Sequence, residues 1–554
     1  MFKLDKNLKI VIAIFLLALF LRLFRLSTFP VGFHIDEVKV GWNALSILKT
    51  GKDDWGNKFA LYYNSFGDFR PTGIFYVTIP SIALFGRNEF AVRFPAAFLG
   101  TLTIFPVYFL VLELLKKSKN LAFSIQHLAL VASLLLAISP WHIGVSRATS
   151  EVIISMFLVL SGLCLFIHFL NQKQTKTLIG SLALLASSYF FYHTARLLVP
   201  MFIFIIGAYY WREIQKSHLT KTVLVSFTAL SLLTGVLMLN KQARGRFSQV
   251  SIFNDLDVAY ELSRMPFEEG PNKVFIARMF HNKPLVYLRR FVNEYSNYFS
   301  ANFFLNSTVA KPNRYQTVGV GIVTYVELIL FIAGLVFIAQ KRGNILPLLL
   351  LLAAPIPAAL TTEDAPNLHR ALYMLPFICI IGTYSLNYIS SFLPKKPFIQ
   401  STFYLLLFLN FIFFLHMYFV HNKVHLPLYR NVGAKELAIE INKIQKNYDK
   451  IILTNIPDDP YPWIAFFTER EPAIFNKDAS SRDKGTWISE NLVFTGIRCP
   501  SRDAFNQPSV RRLLVVDAEG CATESNLKEN PNISLIKIMR PDETEVYNLW
   551  SKTE

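Results

Sequence analysis

Charge is scarce in this sequence. Asp, Glu, Lys and Arg make up 17% of its 554 residues, while apolar side chains make up 53%. A soluble chain of this length would divide into several domains wrapped in charged surface, so the scarcity excludes an ordinary soluble protein. Cysteine is scarcer still, at four residues. Cys164 and Cys379 fall inside apolar blocks and read as small packing residues. Cys499 and Cys521 fall in the polar C-terminal region and would be free to pair if that region lies outside the cytoplasm. A P-loop, a glycine-rich dinucleotide fingerprint and a GxSxG elbow are all missing. No repeat of solenoid period is visible. The apolar stretch Ile10–Leu26 is followed by no small-residue cleavage site, and Arg22 and Arg25 interrupt its end, so it reads as a retained helix rather than a signal peptide.

What the sequence does hold is apolar blocks of about 17–22 residues, the length that crosses a bilayer core. The clearest are Ile10–Leu26, Leu121–Ile138, Val152–Leu170, Val223–Leu239, Val320–Ala339, Ile345–Leu360, Ala371–Ile389 and Thr402–Val420. Ala91–Leu115, Leu178–Phe191 and Leu197–Trp211 complete a set of eleven expected spans. The linking segments alternate. Short Lys-rich ones such as Lys116–Asn120, Arg212–Lys221 and Leu393–Lys396 are cytoplasmic by the positive-inside rule. Longer mixed ones, including 27–90 and 240–317, fall outside, which puts the N-terminus in and the C-terminus out. The net charge of +18 lies mostly in juxtamembrane Lys, which suits anionic lipid and not nucleic acid. Ile74–Phe85, short and flanked by Pro71 and Pro80, reads as an interfacial helix in the first outer loop. The region from about Arg430 has soluble composition: a helix over Ala434–Ile444, a buried strand at Lys450–Thr454, a helix over Tyr461–Thr468, and strands at Leu513–Val516, Ser534–Ile538 and Glu545–Leu549. A small α/β domain over 426–554, after a membrane domain over 1–425, is the simplest organisation.

Charge beside a membrane span is costly, so its position is informative. Lys dominates the cytoplasmic loops, whereas the outer span ends carry Arg22, Arg25, Arg70, Arg93, Arg147, Arg196 and Arg370. The guanidinium fork suits bidentate binding of phosphate, and these arginines together suit a lipid phosphate at the outer leaflet. Singly, Arg22 or Arg25 needs no more than snorkelling to ordinary phospholipid. Acids supply the other half: His34-Ile35-Asp36-Glu37 puts two carboxylates at the outer interface, with Asp53, Asp54 and Asp68 later in the same loop. A carboxylate there can act as a general base on an attacking hydroxyl. Asp36 also suits the N-cap of a helix starting at Glu37–Val40, and the two roles do not exclude each other. Asp255 and Asp257 form a lone DxD, most often a solvated turn. His142, His193 and His369 show no paired metal-ligand spacing and read as hydrogen-bonding interfacial residues. Tyr189–Tyr192 reads as an aromatic belt, with the wall of a polyprenyl site as the alternative.

The first helix, Asp36-Glu37, Gly51-Lys52-Asp53 with Gly56, Gly67-Asp68-Phe69-Arg70-Pro71, and Phe85-Gly86 through Glu89 to Arg93 and Pro95 occur in an order that resembles GT-C glycosyltransferases. The likeness is to glycosyltransferase family 39, which includes protein O-mannosyltransferases and aminoarabinose transferases. Ser139-Pro140 with Arg147, Tyr189–Arg196 with Pro200, and His369-Arg370 with Pro376 extend it through the membrane domain. The resemblance implies a polyprenyl-phosphate sugar donor used from outside. Asp36 would act as base on an acceptor from protein, lipid or glycan, with inversion, and Glu37 would support it. Asp68, Arg70, Arg93, Arg147, Arg196 and Arg370 would bind substrate. Where the family often has Lys-Pro-Pro, this chain has Arg70-Pro71-Thr72. Some relatives bind a divalent metal and others do not, and no residue here is assigned to one. No cytoplasmic segment is large enough to hold a nucleotide sugar, which agrees with a lipid-linked donor. The rival reading is a transporter or flippase of lipid-linked saccharides, but transporters place ionisable groups near the midplane on broken helices.

Overall fold

A computed structural model describes residues 6–65, 68–116, 123–270, 273–340, 344–392, 397–468, 470–477, 486–505, 510–521, 527 and 532–552. A helix occupies each of the eleven expected segments. Among the described residues, five helices are individually long and apolar enough to cross a membrane: Glu89–Leu115, Glu151–Gln172, Thr220–Leu239, Leu372–Ile389 and Tyr404–His425. A sixth is added if Ile125–Ile138 and Pro140–Ser146, bent by 55°, form one span. The break falls at Ser139-Pro140, where proline opens the second helix and cannot continue the first. Gly73–Phe85, His193–Tyr209, Tyr325–Ala339 and Leu346–Ala359 are apolar but shorter. Length and hydropathy therefore support five or six spans directly, fewer than the eleven expected.

The helices pack around one apolar core that runs from Val11 and Ala18 through Leu110, Leu136, Leu160 and Phe202 to Leu350 and Tyr384. Small residues let helix backbones approach. The tightest case is Gly334 on Tyr325–Ala339, where a Cβ would collide with the Ile381 carbonyl of Leu375–Phe392. Gly334→Ala is therefore expected to lower stability by about 1–3 kcal/mol, the usual cost of overpacking. A thermal-unfolding comparison in detergent checks this, and an unchanged midpoint would show that the two helices can part freely.

Outside this bundle the first loop contributes the helix Ile35–Thr50, a hairpin of strands β1 (Tyr62–Ser65) and β2 (Asp68–Pro71), and the expected helix Gly73–Phe85. Ile35–Thr50 starts earlier than expected because His34 caps it. The Asp36 amide donates to His34 Nδ1 at 3.1 Å, and the His34 amide donates to Glu37 Oε2 at 3.2 Å. Gly51, at φ 72°, ends it in the left-handed conformation that glycine adopts most cheaply.

The C-terminal region is the α/β unit that its sequence predicts. Strands β3 (Lys450–Thr454), β4 (Trp487–Ser489), β5 (Leu492–Thr495), β6 (Leu513–Ala518), β7 (Ile533–Met539) and β8 (Glu545–Lys552) form a sheet in the order β4-β5-β3-β6-β8-β7. β3 runs parallel to both β5 and β6, and the other pairs are antiparallel. Strands β4 and β5 were not legible in the sequence. The pair Cys499–Cys521 is joined as a disulfide. This unit shares a core with the first loop: Phe33, Val38, Trp42 and Leu45 pack with Leu437, Ile441, Trp463 and Phe466. The Trp463 indole donates to the Phe33 carbonyl at 2.8 Å. Gly41 leaves room for the Phe466 ring, which a Cβ would approach to 2.9 Å.

Candidate active site

Because His34 takes the capping role, the Asp36 carboxylate is left for other partners. It pairs with Arg70 at 3.1 Å and Arg314 at 3.0 Å, with His34 Nδ1 3.6 Å away. Arg70 comes from strand β2 and Arg314 from the single turn Asn313–Tyr315. Burial pushes the Asp36 carboxyl up, but the two guanidinium charges outweigh it and hold the group well below the usual carboxylate range. Glu37, one residue on, points elsewhere. It accepts from Arg93 at 2.9 and 3.2 Å, from the Thr149 amide at 3.1 Å, from the His34 amide and from Arg430. Its oxygens are fully engaged, and the residue is buried. Burial raises its pKa, and Arg93 and Arg430 more than reverse that, bringing it down to about 2.

Arg70 and Arg314 also line a cavity of about 500 Å³ with Arg196, Arg246 and Arg370. Against these five arginines stand three acids, Glu151, Glu363 and Asp364, so the lining is net positive. Arg196 is braced by the Tyr189 carbonyl at 3.0 Å and His193 at 2.9 Å, and lies 5.2 Å over the Tyr62 ring. Arg370 donates to Thr361 at 2.7 Å and pairs with Glu363, which Arg246 also holds at 2.7 Å. Arg314 Nε is buried and has no hydrogen-bond partner among the described residues. The remaining wall mixes apolar and aromatic residues, among them Phe191, Tyr192, Leu197, Met238 and Phe247, with polar ones such as His193, Thr234, Asn367 and His369. His369 stacks on Tyr315 with ring centroids 4.9 Å apart and bonds to Ser150 and Tyr192 at 2.9 and 3.2 Å.

Of the residues expected to bind substrate, Arg70, Arg196 and Arg370 line this cavity and Arg93 and Arg147 do not. Arg93 gives its donors to Glu37 and to the carbonyls of Leu26 and Gly32. Arg147 gives its donors to the carbonyls of Leu21, Phe24 and Phe29 at 2.6, 2.7 and 3.0 Å and to Tyr418 at 3.3 Å. Both are fully buried and tie down the chain that leaves the first helix. Arg22 does the same at the carbonyls of Leu136 and Ala137. The backbone of Asp68 lies in the hairpin opposite Ser65; its side chain lies outside the described set. Sequence reasoning missed Arg246, Arg314, Arg430 and Glu151. Arg246 and Arg314 lie in the long segment 240–317, where no local pattern separates them from its other basic residues.

The other candidates have structural roles. Asp255 caps Leu256–Glu268 through the Asp257 amide at 3.0 Å and pairs with Arg290 at 3.1 Å. Asp53 holds the amides of Trp55 and Asn57 at 3.0 and 2.8 Å, and Asp54 accepts from the Trp42 indole at 2.7 Å. Among the described residues no three metal-ligating side chains converge. With two guanidinium groups in contact with its carboxylate, the Asp36 neighbourhood does not fit a divalent cation.

The fold is of the GT-C type, as the structural match to ArnT shows. Residues 70–238 match the family described as dolichyl-phosphate-mannose-protein mannosyltransferase. The chain is similar in structure to ArnT from Cupriavidus metallidurans bound to undecaprenyl phosphate, at 11% identity over 98% of this chain and 97% of that one, with a TM-score of 0.50. The oligosaccharyltransferase of Archaeoglobus fulgidus matches at 13% identity, covering 93% and 70%, with a TM-score of 0.48. The protein O-mannosyltransferase Pmt1-Pmt2 complex of S. cerevisiae, bound to its sugar donor, matches at 16% identity over 46% and 36%, with a TM-score of 0.32. No curated protein matches the sequence. The resemblance first carried by the motifs thus recurs in an independent family match and in the fold. The matched segment begins at Arg70, so the acids Asp36 and Glu37 lie ahead of it.

Proposed function

We propose that the chain is a glycosyltransferase that moves a sugar from a polyprenyl-phosphate donor to an acceptor hydroxyl outside the membrane. The observation that carries this reading is the Asp36 carboxylate bonded to two arginines of a net-positive, partly apolar cavity. The donor phosphate suits the arginine side, and the polyprenyl chain suits Phe191, Leu197, Met238 and Phe247. Asp36 takes the proton from the acceptor hydroxyl as its oxygen bonds to the anomeric carbon, with inversion. The bond from that carbon to the phosphate oxygen breaks, and the phosphate leaves with the electron pair, its charge met by guanidinium groups. Arg70 and Arg314 serve twice. Without a donor they keep Asp36 ionised; a bound phosphate shares their charge, which raises the basicity of Asp36 when the base is needed. No comparison favours the transporter reading.

The finer reading is of a hexosyl- or pentosyltransferase with a protein, lipid or glycan acceptor. It places the N-terminus in the cytoplasm and residues 426–554 outside, where the Cys499–Cys521 disulfide is at home. Arg370→Ala is expected to weaken undecaprenyl-phosphate binding about tenfold or more, the scale of a lost charge-assisted hydrogen bond. Titration of the purified protein with that lipid tests this, and wild-type affinity in the variant would remove Arg370 from the phosphate site.

A further inference from the structure

The last long apolar helix, Pro397–His416, does not stop where its sequence turns polar. It widens into a π-turn over Met417–His421 and returns to α-helix over Asn422–His425. This widening acts on three histidines, His416, His421 and His425. In a regular α-helix residues five apart diverge by about 140° around the axis, so His416 and His421 would face different ways. The π-turn, which closes i to i+5, brings them onto one side. His416 Nε2 and His421 Nε2 are 3.3 Å apart, and their ring centroids are 5.1 Å apart. His425, one turn beyond His421, stacks near it with centroids 6.5 Å apart. His416 and His425 are exposed and His421 is partly so, and none of the three lines the arginine cavity.

Two imidazoles with facing nitrogens gain at best one long N–H···N hydrogen bond. The same spacing is what one tetrahedral ion imposes, because two nitrogens each about 2.0–2.1 Å from zinc lie roughly 3.3–3.4 Å apart. We propose that His416 and His421 form a site for a borderline divalent transition metal, of which zinc is the type, with water at the open positions. Imidazole donors select such an ion over magnesium or calcium, which take oxygen ligands. No third ligand is in place among the described residues, so the site binds reversibly and does not carry the fold. Its consequence is mechanical. Within the π-turn Tyr418 accepts a hydrogen bond from Arg147, and just after it Asn422 holds the Val318 amide at 3.0 Å and the Gln316 carbonyl at 3.3 Å. An ion across His416 and His421 staples the turn that makes these contacts.

The test uses full-length, tag-free protein stripped with a chelator and titrated with Zn2+ alone, followed by Co2+ for its tetrahedral absorption bands. One saturable ion per chain is expected, with a rise in the unfolding temperature on adding Zn2+. His416→Gln and His421→Gln should each lower the affinity by at least the roughly tenfold that loss of a mere supporting group costs at metal sites. They should also abolish the temperature shift while leaving the metal-free transition unchanged. Absence of saturable binding by the wild-type protein overturns the proposal. So does undiminished binding by the double variant, which would put the ion elsewhere.

Discussion

Asp36→Asn is expected to reduce sugar transfer by about 10²–10⁴-fold, the range that a positioned general base contributes, with little change in donor affinity. Asparagine keeps the shape of the side chain and cannot take the acceptor's proton. It also releases Arg70 and Arg314 from their ion pairs at 3.1 and 3.0 Å, so the cavity becomes more positive and the donor phosphate is held at least as well. A fall in turnover with an unchanged or tighter lipid Kd is therefore the signature of the base. Loss of donor binding with turnover intact in the residual complex would assign Asp36 to binding. Full activity would remove it from the chemistry. The wild-type protein should also keep Asp36 ionised well into acid, because the arginines hold its carboxyl below the usual carboxylate range.

Glu37→Gln should act on stability first. The carboxylate is 2% exposed and is the shared counter-charge of Arg93 and Arg430, each fully buried. Removing one charge from such a cluster leaves the others uncompensated, at a cost of about 3–5 kcal/mol. Activity should fall as well, since the helix that carries Asp36 is anchored by this neighbour. A lowered unfolding temperature at neutral pH checks the first effect, and an unaltered one would mean that the two guanidinium groups find other partners. The pH dependence follows with a definite sign. Glu37 has a depressed pKa in the folded chain, about 2, against an ordinary value near 4.3 when unfolded. Its stabilisation is fully present above the unfolded value and disappears as pH falls through about 2. In Glu37→Gln that part of the acid sensitivity should be gone.

The sequence made the membrane helices and the C-terminal unit largely legible, because both rest on local periodicity. Blocks such as Val152–Leu170 and strands such as Lys450–Thr454 carry their own signal and appear where expected. The acid pair was legible as a pair from its placement, and the expected division, Asp36 as base with Glu37 in support, came from the family resemblance and not from the local residues. Which acid pairs with the cavity arginines depends on His34 taking the cap and on Arg314 and Arg430, close to 300 and 400 residues away, arriving at different carboxylates. The arginines at the outer span ends shared one pattern and separated into two roles. Arg70, Arg196 and Arg370 line the cavity, whereas Arg93 is shared between Glu37 and two backbone carbonyls and Arg147 is held mainly by backbone carbonyls, a kind of partner that leaves no trace in side-chain sequence. The same limit applies to His416 and His421, whose spacing of five looks unpaired until a π-turn is known to lie between them.

The bond from Arg430 to Glu37 joins residues 393 positions apart, and this sets an order on how the site is assembled. During synthesis the acidic loop emerges among the first segments, while the cation that secures it is made only after the last long apolar helix. Until then Glu37 has Arg93 alone as a charged partner, and the Arg314 carbonyl lacks the donor that later reaches it at 3.0 Å. The site is thus incomplete until residue 430 has been made. On the proposed reading, a chain cut before residue 430 would lack the second charged partner of Glu37 beside the proposed base.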